Sequence, residues 1–218
     1  MTDWIAIDAM GPKPSGWRMS RADNVAEISG AESLDVLRTA LSDGADLPAL
    51  AFGLPAQARM VPAQPLPDQA GLISTASLIA IPPLKNQAGL RTDGAETLIA
   101  GFLAVNPDWD GVICVTGERH VWAHVSAGEV VSFQVFLTGV LSDAVTGTGQ
   151  VGENWNDADF LEAVSDSMSR PERIAAYLAA SKQSDALWGA LIGAELAAAK
   201  PYWLGQQIAV GVDDIAGV

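Results

Sequence analysis

A few side chains and spacings in this 218-residue sequence could do chemistry. Asp8 closes the apolar run WIAID and is followed directly by AMGPKPSG over 9–16. An acid at the carboxyl end of a buried strand, beside a tight turn, can hold Mg2+ and a phosphate. The same acid can cap the turn with its own carboxylate. The local sequence leaves both readings open. His120 and His124 stand four positions apart. On a helix they could share one zinc ion, but VWA between them and Val125 after them read as a strand. That places them about 13 Å apart at about 3.3 Å per residue, too far for one ion. They read as surface or pocket-wall side chains, and His120, next to a glycine turn, is the one placed to face a ligand. Cys114 lies between Ile113 and Val115 with no base beside it and reads as a structural thiol. Gly147-x-Gly149-x-x-Gly152 matches a dinucleotide fingerprint, which needs a strand before it and a helix after it. A helix-like stretch precedes it and ENWND follows, so a flexible connector is the better account. Gly189-x-x-x-Gly193, in the last long helical segment, lets another backbone approach closely.

The elements that must position these residues alternate. Trp4–Asp8, Gly16–Ser20 and Asn24–Ile28 read as strands, and AMGPKPSG can only be a turn. Ala31–Leu41 carries Leu34, Leu37 and Leu41 at helical spacing and stops at Asp43-Gly44. Pro48–Leu54 is a buried strand, Pro55–Pro67 a proline-rich loop, and Leu72–Ile81 one or two strands. Glu96–Val105 is an amphipathic helix stopped by Asn106-Pro107. The β-branched runs Val112–Val115, Val121–Val125 and Val130–Phe136 form a meander. Three helices follow, over Asp157–Met168, Pro171–Ala180 and Asp185–Ala199, and then a strand over Gln207–Val210. The pattern is α/β, with one lobe over 1–107 and a second over 108–218.

Composition narrows the function classes. Half of the residues are apolar and 17% are charged, which is globular. The net charge of −14 argues against a nucleic-acid partner, although a local pocket can still attract a small anion. No run approaches the roughly 18 apolar residues of a membrane span. MTDWIAID has no basic start, so the sequence gives no signal peptide, and one cysteine excludes an internal disulfide. The expectation is a cytoplasmic protein with neither membrane nor nucleic acid as partner.

Four stretches resemble the 2-dehydro-3-deoxygalactonokinases, sugar-acid kinases of the actin/hexokinase-like ATPase superfamily. They are WIAID with Trp17 after it, GAETLIAGFLAVNPDWDGV, VWAHVSAGEVVSF followed by LTG, and LWGALIGAELAAAKPYWLGQQIAV. The resemblance implies two ribonuclease-H-like lobes, the second truncated. It also implies ATP-dependent phosphorylation of a 2-keto-3-deoxy sugar acid. Asp8 would then hold Mg2+ and, with Glu96, serve the chemistry. Gly11, Lys13, Gly117 and Arg119 would meet ATP. Glu96, Thr97, His120, Thr138 and Gly139 would contact the sugar acid.

The chain departs from that family where charge is needed. The first phosphate turn of such kinases has Gly-Thr-Thr/Ser, and here Met10, Gly11, Pro12 and Lys13 follow Ala9. Prolines offer no N–H to an oxyanion. An Arg-Gly-Glu-Glu-Thr motif falls on Asp93, Gly94, Ala95, Glu96 and Thr97. A Thr-His-x-Lys turn falls on Glu118, Arg119, His120 and Val121, and a further arginine and glutamate fall on Gln134 and Val140. Phosphoryl transfer rests on positioning and charge stabilisation. The expectation is therefore weak or absent kinase activity. The alternative is a pseudokinase that binds a sugar acid, forms a homo-oligomer or pairs with a full-length relative.

Overall fold

The computed structural model describes residues 3–20, 23–74, 78–146, 156–180 and 184–212. The described residues form three sheets and seven α-helices. The chain divides into two compact units, Met1–Asp108 with Gly128–Val131, and Trp109–Ala127 with Ser132–Val218.

In the first unit WIAID forms β1 (Trp4–Asp8), with Ile5 and Ile7 turned into the core at 0% and 1% exposure. β2 (Ser15–Ser20) returns antiparallel in a register running from Trp4 opposite Met19 to Asp8 opposite Ser15, so residues 9–14 are the connecting turn. β3 (Asp23–Ile28) extends the sheet as an exposed edge. α1 (Leu34–Ser42) starts where Ser33 Oγ accepts the Val36 N–H at 3.3 Å and ends at Asp43 in the left-handed region. Its Leu37 and Leu41 pack with Ile5, Ile7, Ala49 and Ala51. Burying each of these large aliphatic side chains contributes about 1.5–3 kcal/mol. β4 (Ala49–Phe52) runs parallel to β1 with Phe52 opposite Asp8.

The expected loop over Pro55–Pro67 is only partly a loop. Arg59 and Met60 form β5 (Arg59–Met60), which pairs parallel with a later strand. β6 (Ile73–Ser74) and β7 (Ile79–Ala80) resolve the expected one-or-two strands into two. β8 (Leu84–Lys85) is the partner of β5, with Arg59 opposite Leu84. The pairing survives the prolines because they lie outside its donors: the Arg59 N–H donates to the Pro83 carbonyl at 2.9 Å and the Val61 N–H to that of Lys85 at 3.0 Å. α2 (Ala95–Val105) closes the unit at Asn106. The larger sheet is ordered β3-β2-β1-β4-β7-β6, with β1, β4 and β7 parallel.

The second unit is built on β9 (Gly111–Thr116), whose Val112–Val115 run is buried on both faces. β10 (His120–Ser126) and β11 (Glu129–Phe136) complete the expected meander. α3 (Thr138–Thr146) is the helix-like stretch before Gly147, while the Gly147–Gly152 pattern itself lies outside the described residues. α4 (Asp157–Ser169) follows, capped by Asn156, whose Oδ1 accepts the Ala158 N–H at 2.9 Å. The expected helix over Pro171–Ala180 begins as a 3₁₀ turn and becomes α5 (Ile174–Ala180). α6 (Ser184–Ala198) carries the long apolar block, and a short α7 (Lys200–Trp203) restarts with Pro201 at its second position. β12 (Ile208–Val212) returns parallel to β9, giving the order β11-β10-β9-β12. No helix among the described residues is long and apolar enough to cross a membrane.

Gly189 and Gly193 perform the packing role expected of them. A Cβ on Gly189 would stand 2.8 Å from Ala163 Cβ, and one on Gly193 would stand 2.9 Å from the Met168 nitrogen. The bare face of α6 is thus what lets α4 lie against it. Gly101 on α2 has nothing within 4 Å of such an atom. Gly193→Ala should therefore lower unfolding stability in denaturant by about 1–3 kcal/mol. Gly101→Ala should raise it by about 0.5–1 kcal/mol, since helix propensity improves without a clash. Equal effects of the two substitutions would contradict this packing account.

Candidate functional site

In the first unit the candidates gather at the carboxyl ends of the parallel strands, where open α/β sheets bind ligands. Asp8 ends β1 and is 7% exposed. Its Oδ1 accepts the Met10 N–H at 2.8 Å, so the carboxylate does cap the turn. Burial pushes its carboxyl above the ordinary value, against the effect of that bond. Gly11 and Lys13 are exposed on the same turn. Opposite Asp8, Phe52 lies against Gly94, where a Cβ would come within 2.9 Å of the ring. This brings the first turn of α2 to the same end of the sheet. Glu96, on that turn, is 1% exposed, and its Oε2 accepts from Thr92 Oγ1 at 2.5 Å and from the Gly94 N–H at 3.0 Å. Thr97 Oγ1 donates to the Gly94 carbonyl at 2.7 Å. Asp93, where a cation was expected of the family, pairs with Arg91 Nε at 2.9 Å.

The β1–β2 turn suits a nucleotide poorly. Its one carboxylate already accepts a backbone N–H. Two of its residues, Pro12 and Pro14, have no N–H to offer a phosphate. Among the described residues, no group of three or more His, Cys, Asp or Glu side chains is arranged to hold a metal ion.

The second unit brings Gly117, His120, Thr138 and Gly139 together around a residue that sequence reasoning missed, Glu195. This acid is 5% exposed on α6. His120 Nδ1 lies 2.8 and 3.0 Å from its two oxygens. Trp122 Nε1 donates to Oε1 at 2.7 Å, and Thr138 Oγ1 donates to Oε2. An ionised carboxylate only accepts, so Nδ1 carries the hydrogen of the His120 contact. Burial opposes the charge on Glu195, but the hydrogen bond and charge of His120, with the bonds from Thr138 and Trp122, hold its carboxyl below the ordinary value. His120 is 4% exposed, so the surface reading of this residue gives way to a buried one. His124, further along β10, is half-buried.

Gly139 lets the turn before β10 settle on the start of α3. A Cβ there would stand 2.8 Å from Glu118 Cα, and the Val140 N–H donates to the Glu118 carbonyl at 3.0 Å. Arg119 is exposed on that turn. Cys114 is buried in β9, and burial with the nearby Glu195 charge pushes its thiol up to about 12, which fits the structural reading. A hollow of about 270 Å³ on this unit is lined by Asp159, Glu162 and Asp166 beside Tyr177, and those carboxylates would repel a sugar acid or a nucleotide.

Glu195→Gln keeps the shape but turns one acceptor into a donor facing donors. It should lower stability by about 2 kcal/mol, roughly 4–8 °C in Tm. Because the folded value of Glu195 is depressed, its contribution is complete above the unfolded value near 4.5. It is lost as the pH falls through the folded value. Urea unfolding across that range should show an acid-side loss that is smaller in Glu195→Gln. An unchanged pH profile would contradict this assignment.

Comparison with known proteins bears on the family of the chain. A family model described as 2-keto-3-deoxy-galactonokinase matches residues 54–216, well over half of the chain. No curated protein matches. The fold is similar to a crystal structure from Sinorhizobium meliloti, of a protein provisionally named a 2-dehydro-3-deoxygalactonokinase. The TM-score is 0.78 at 21% identity, covering 96% of this chain and 85% of that one. The chain belongs to the 2-keto-3-deoxy-galactonokinase family.

Proposed function

We propose that this protein is a sugar-acid kinase of reduced power. It binds a 2-keto-3-deoxy sugar acid, and ATP-dependent transfer of the γ-phosphoryl group to it is slow or lost. Its two units are read as the two ribonuclease-H-like lobes of the actin/hexokinase-like fold. The observation that carries this reading is the β1–β2 turn. It retains the family's acid, Asp8, but that carboxylate accepts the Met10 N–H, and Pro12 and Pro14 flank the one cation, Lys13. Positioning and charge stabilisation supply most of the rate in phosphoryl transfer, so thinning the donors costs turnover first. If ATP is used, Asp8 would hold Mg2+, Lys13 would meet a phosphate, and Glu96 and Thr97 would meet the sugar acid.

A second reading is a non-catalytic pseudokinase that binds a sugar acid or pairs with a full-length relative. It is favoured by His120 and Thr138, whose side chains are engaged by Glu195 within the fold. ADP release with Mg2+, ATP and 2-keto-3-deoxygalactonate distinguishes the outcomes. Turnover well below the ordinary kinase range of about 1–100 s⁻¹ is expected. Turnover inside that range refutes reduced power.

A further inference from the structure

The helix α3 is amphipathic in the reverse of the usual sense. Its small and polar side chains face the fold: Thr138, Gly139 and Ser142 are buried. Its large apolar side chains face outward. Leu137, Val140, Leu141 and Val145 are between 39% and 46% exposed, and Ala144 among them is exposed too. Positions 137, 140, 141, 144 and 145 recur at i, i+3, i+4, i+7 and i+8, the spacing of a helix face that ordinarily packs on a neighbour. Leu137 belongs to that face because its carbonyl accepts the Leu141 N–H at 2.8 Å, one helical turn on.

The contacts of the opposite face hold this stripe outward. A Cβ on Gly139 would stand 2.8 Å from Glu118 Cα, and Thr138 Oγ1 donates to Glu195. Neither position can exchange with a leucine or valine of the outer face. Single exposed apolar residues need no explanation, but four large ones on one helix face form a patch.

Charge and symmetry point to what covers it. The chain carries a net charge of −14, so two copies repel over much of their surfaces. The five stripe residues carry no charge. Asp143, the one acid of α3, lies about 200° around the helix from Leu141. The stripe also matches itself, because Leu137 and Val145 stand four residues before and after Leu141. A twofold axis at Leu141 sets Leu137 of one copy against Val145 of the other, and the reverse, as an interface between identical copies requires. We propose that the outward face of α3 is the contact surface of a homodimer, with two α3 helices packed antiparallel about Leu141. A nine-residue helix is about 14 Å long, so it covers far less than the roughly 800 Å² per partner of a standard interface. The dimer is accordingly weak and reversible.

Sedimentation velocity of the intact chain tests this. Monomer should pass to dimer with a Kd between about 10 μM and 1 mM, and association should tighten as added salt screens the repulsion between copies. Leu141→Glu sets two acids at the axis and should weaken association by about tenfold or more. Val36→Glu adds the same charge at an exposed site on α1 and should change association much less. Leu141→Cys should link into a disulfide dimer on mild oxidation, while Val36→Cys should not; the native Cys114 is buried. The cross-link decides the matter even if Leu141→Glu fails to fold. A chain that stays monomeric up to about 1 mM overturns the proposal. Association that both glutamate variants weaken alike, or a dimer that Leu141→Cys does not link, places the contact elsewhere and overturns it too.

Discussion

The second unit hangs on one buried carboxylate. Glu195 receives hydrogen bonds from His120 and Trp122 on β10 and from Thr138 at the start of α3, and it sits on α6. Taking a carboxylate out of water is costly unless its lone pairs are met. Hydrogen bonds to a charged group are worth about 1.5–3 kcal/mol each, so three donors offset much of that cost. The geometry also specifies position. Only one placement of α6 against the sheet satisfies all three donors, and the sheet's central strand buries Cys114 and Val112 beneath it. The glycines of α6 set its distance from α4, while Glu195 sets its placement on β10.

Glu96 in the first unit repeats the chemistry with a different outcome. It too is buried at a helix, and two donors address one of its oxygens. Burial pushes its carboxyl up, whereas Glu195 is drawn down. Beyond burial, the difference lies in neighbouring charge: the Asp93 charge also raises Glu96, while the His120 charge lowers Glu195. His120 brings a hydrogen bond and a charge to Glu195, and no such pair completes Glu96 among the described residues. A well-satisfied buried acid stabilises a fold, and a partly satisfied one is costly.

Local pattern made much of the fold legible. The apolar run WIAID, the valine-rich runs of β9 to β11, the leucine spacing and Asp43 stop of α1, and the glycine spacing on α6 all express constraints between near neighbours, which a sequence displays directly. Glu195 was not legible, because its partners lie 57 to 75 positions away and a glutamate in an apolar helix otherwise reads as a solvent-facing residue. Arg59 was hidden for a different reason. Four prolines made its segment read as pure loop, although the donors of the two-residue strand fall between them. The Asp8 turn was half legible: position marked the acid, but only coordinates show its carboxylate bonded to Met10.

On the proposed reading, the family scaffold is kept while the grip on nucleotide phosphates is loosened. Strand and helix cores are closely packed, and the departures from the family pattern read in the sequence fall mainly on charged and hydroxyl-bearing positions. That asymmetry predicts separate fates for the two ligands of the family reaction. The direct measurement is a calorimetric titration of the intact chain with Mg2+ and ATP. The account predicts a Kd weaker than about 1 mM, about −4 kcal/mol or less in binding energy. A Kd in the micromolar range would contradict it.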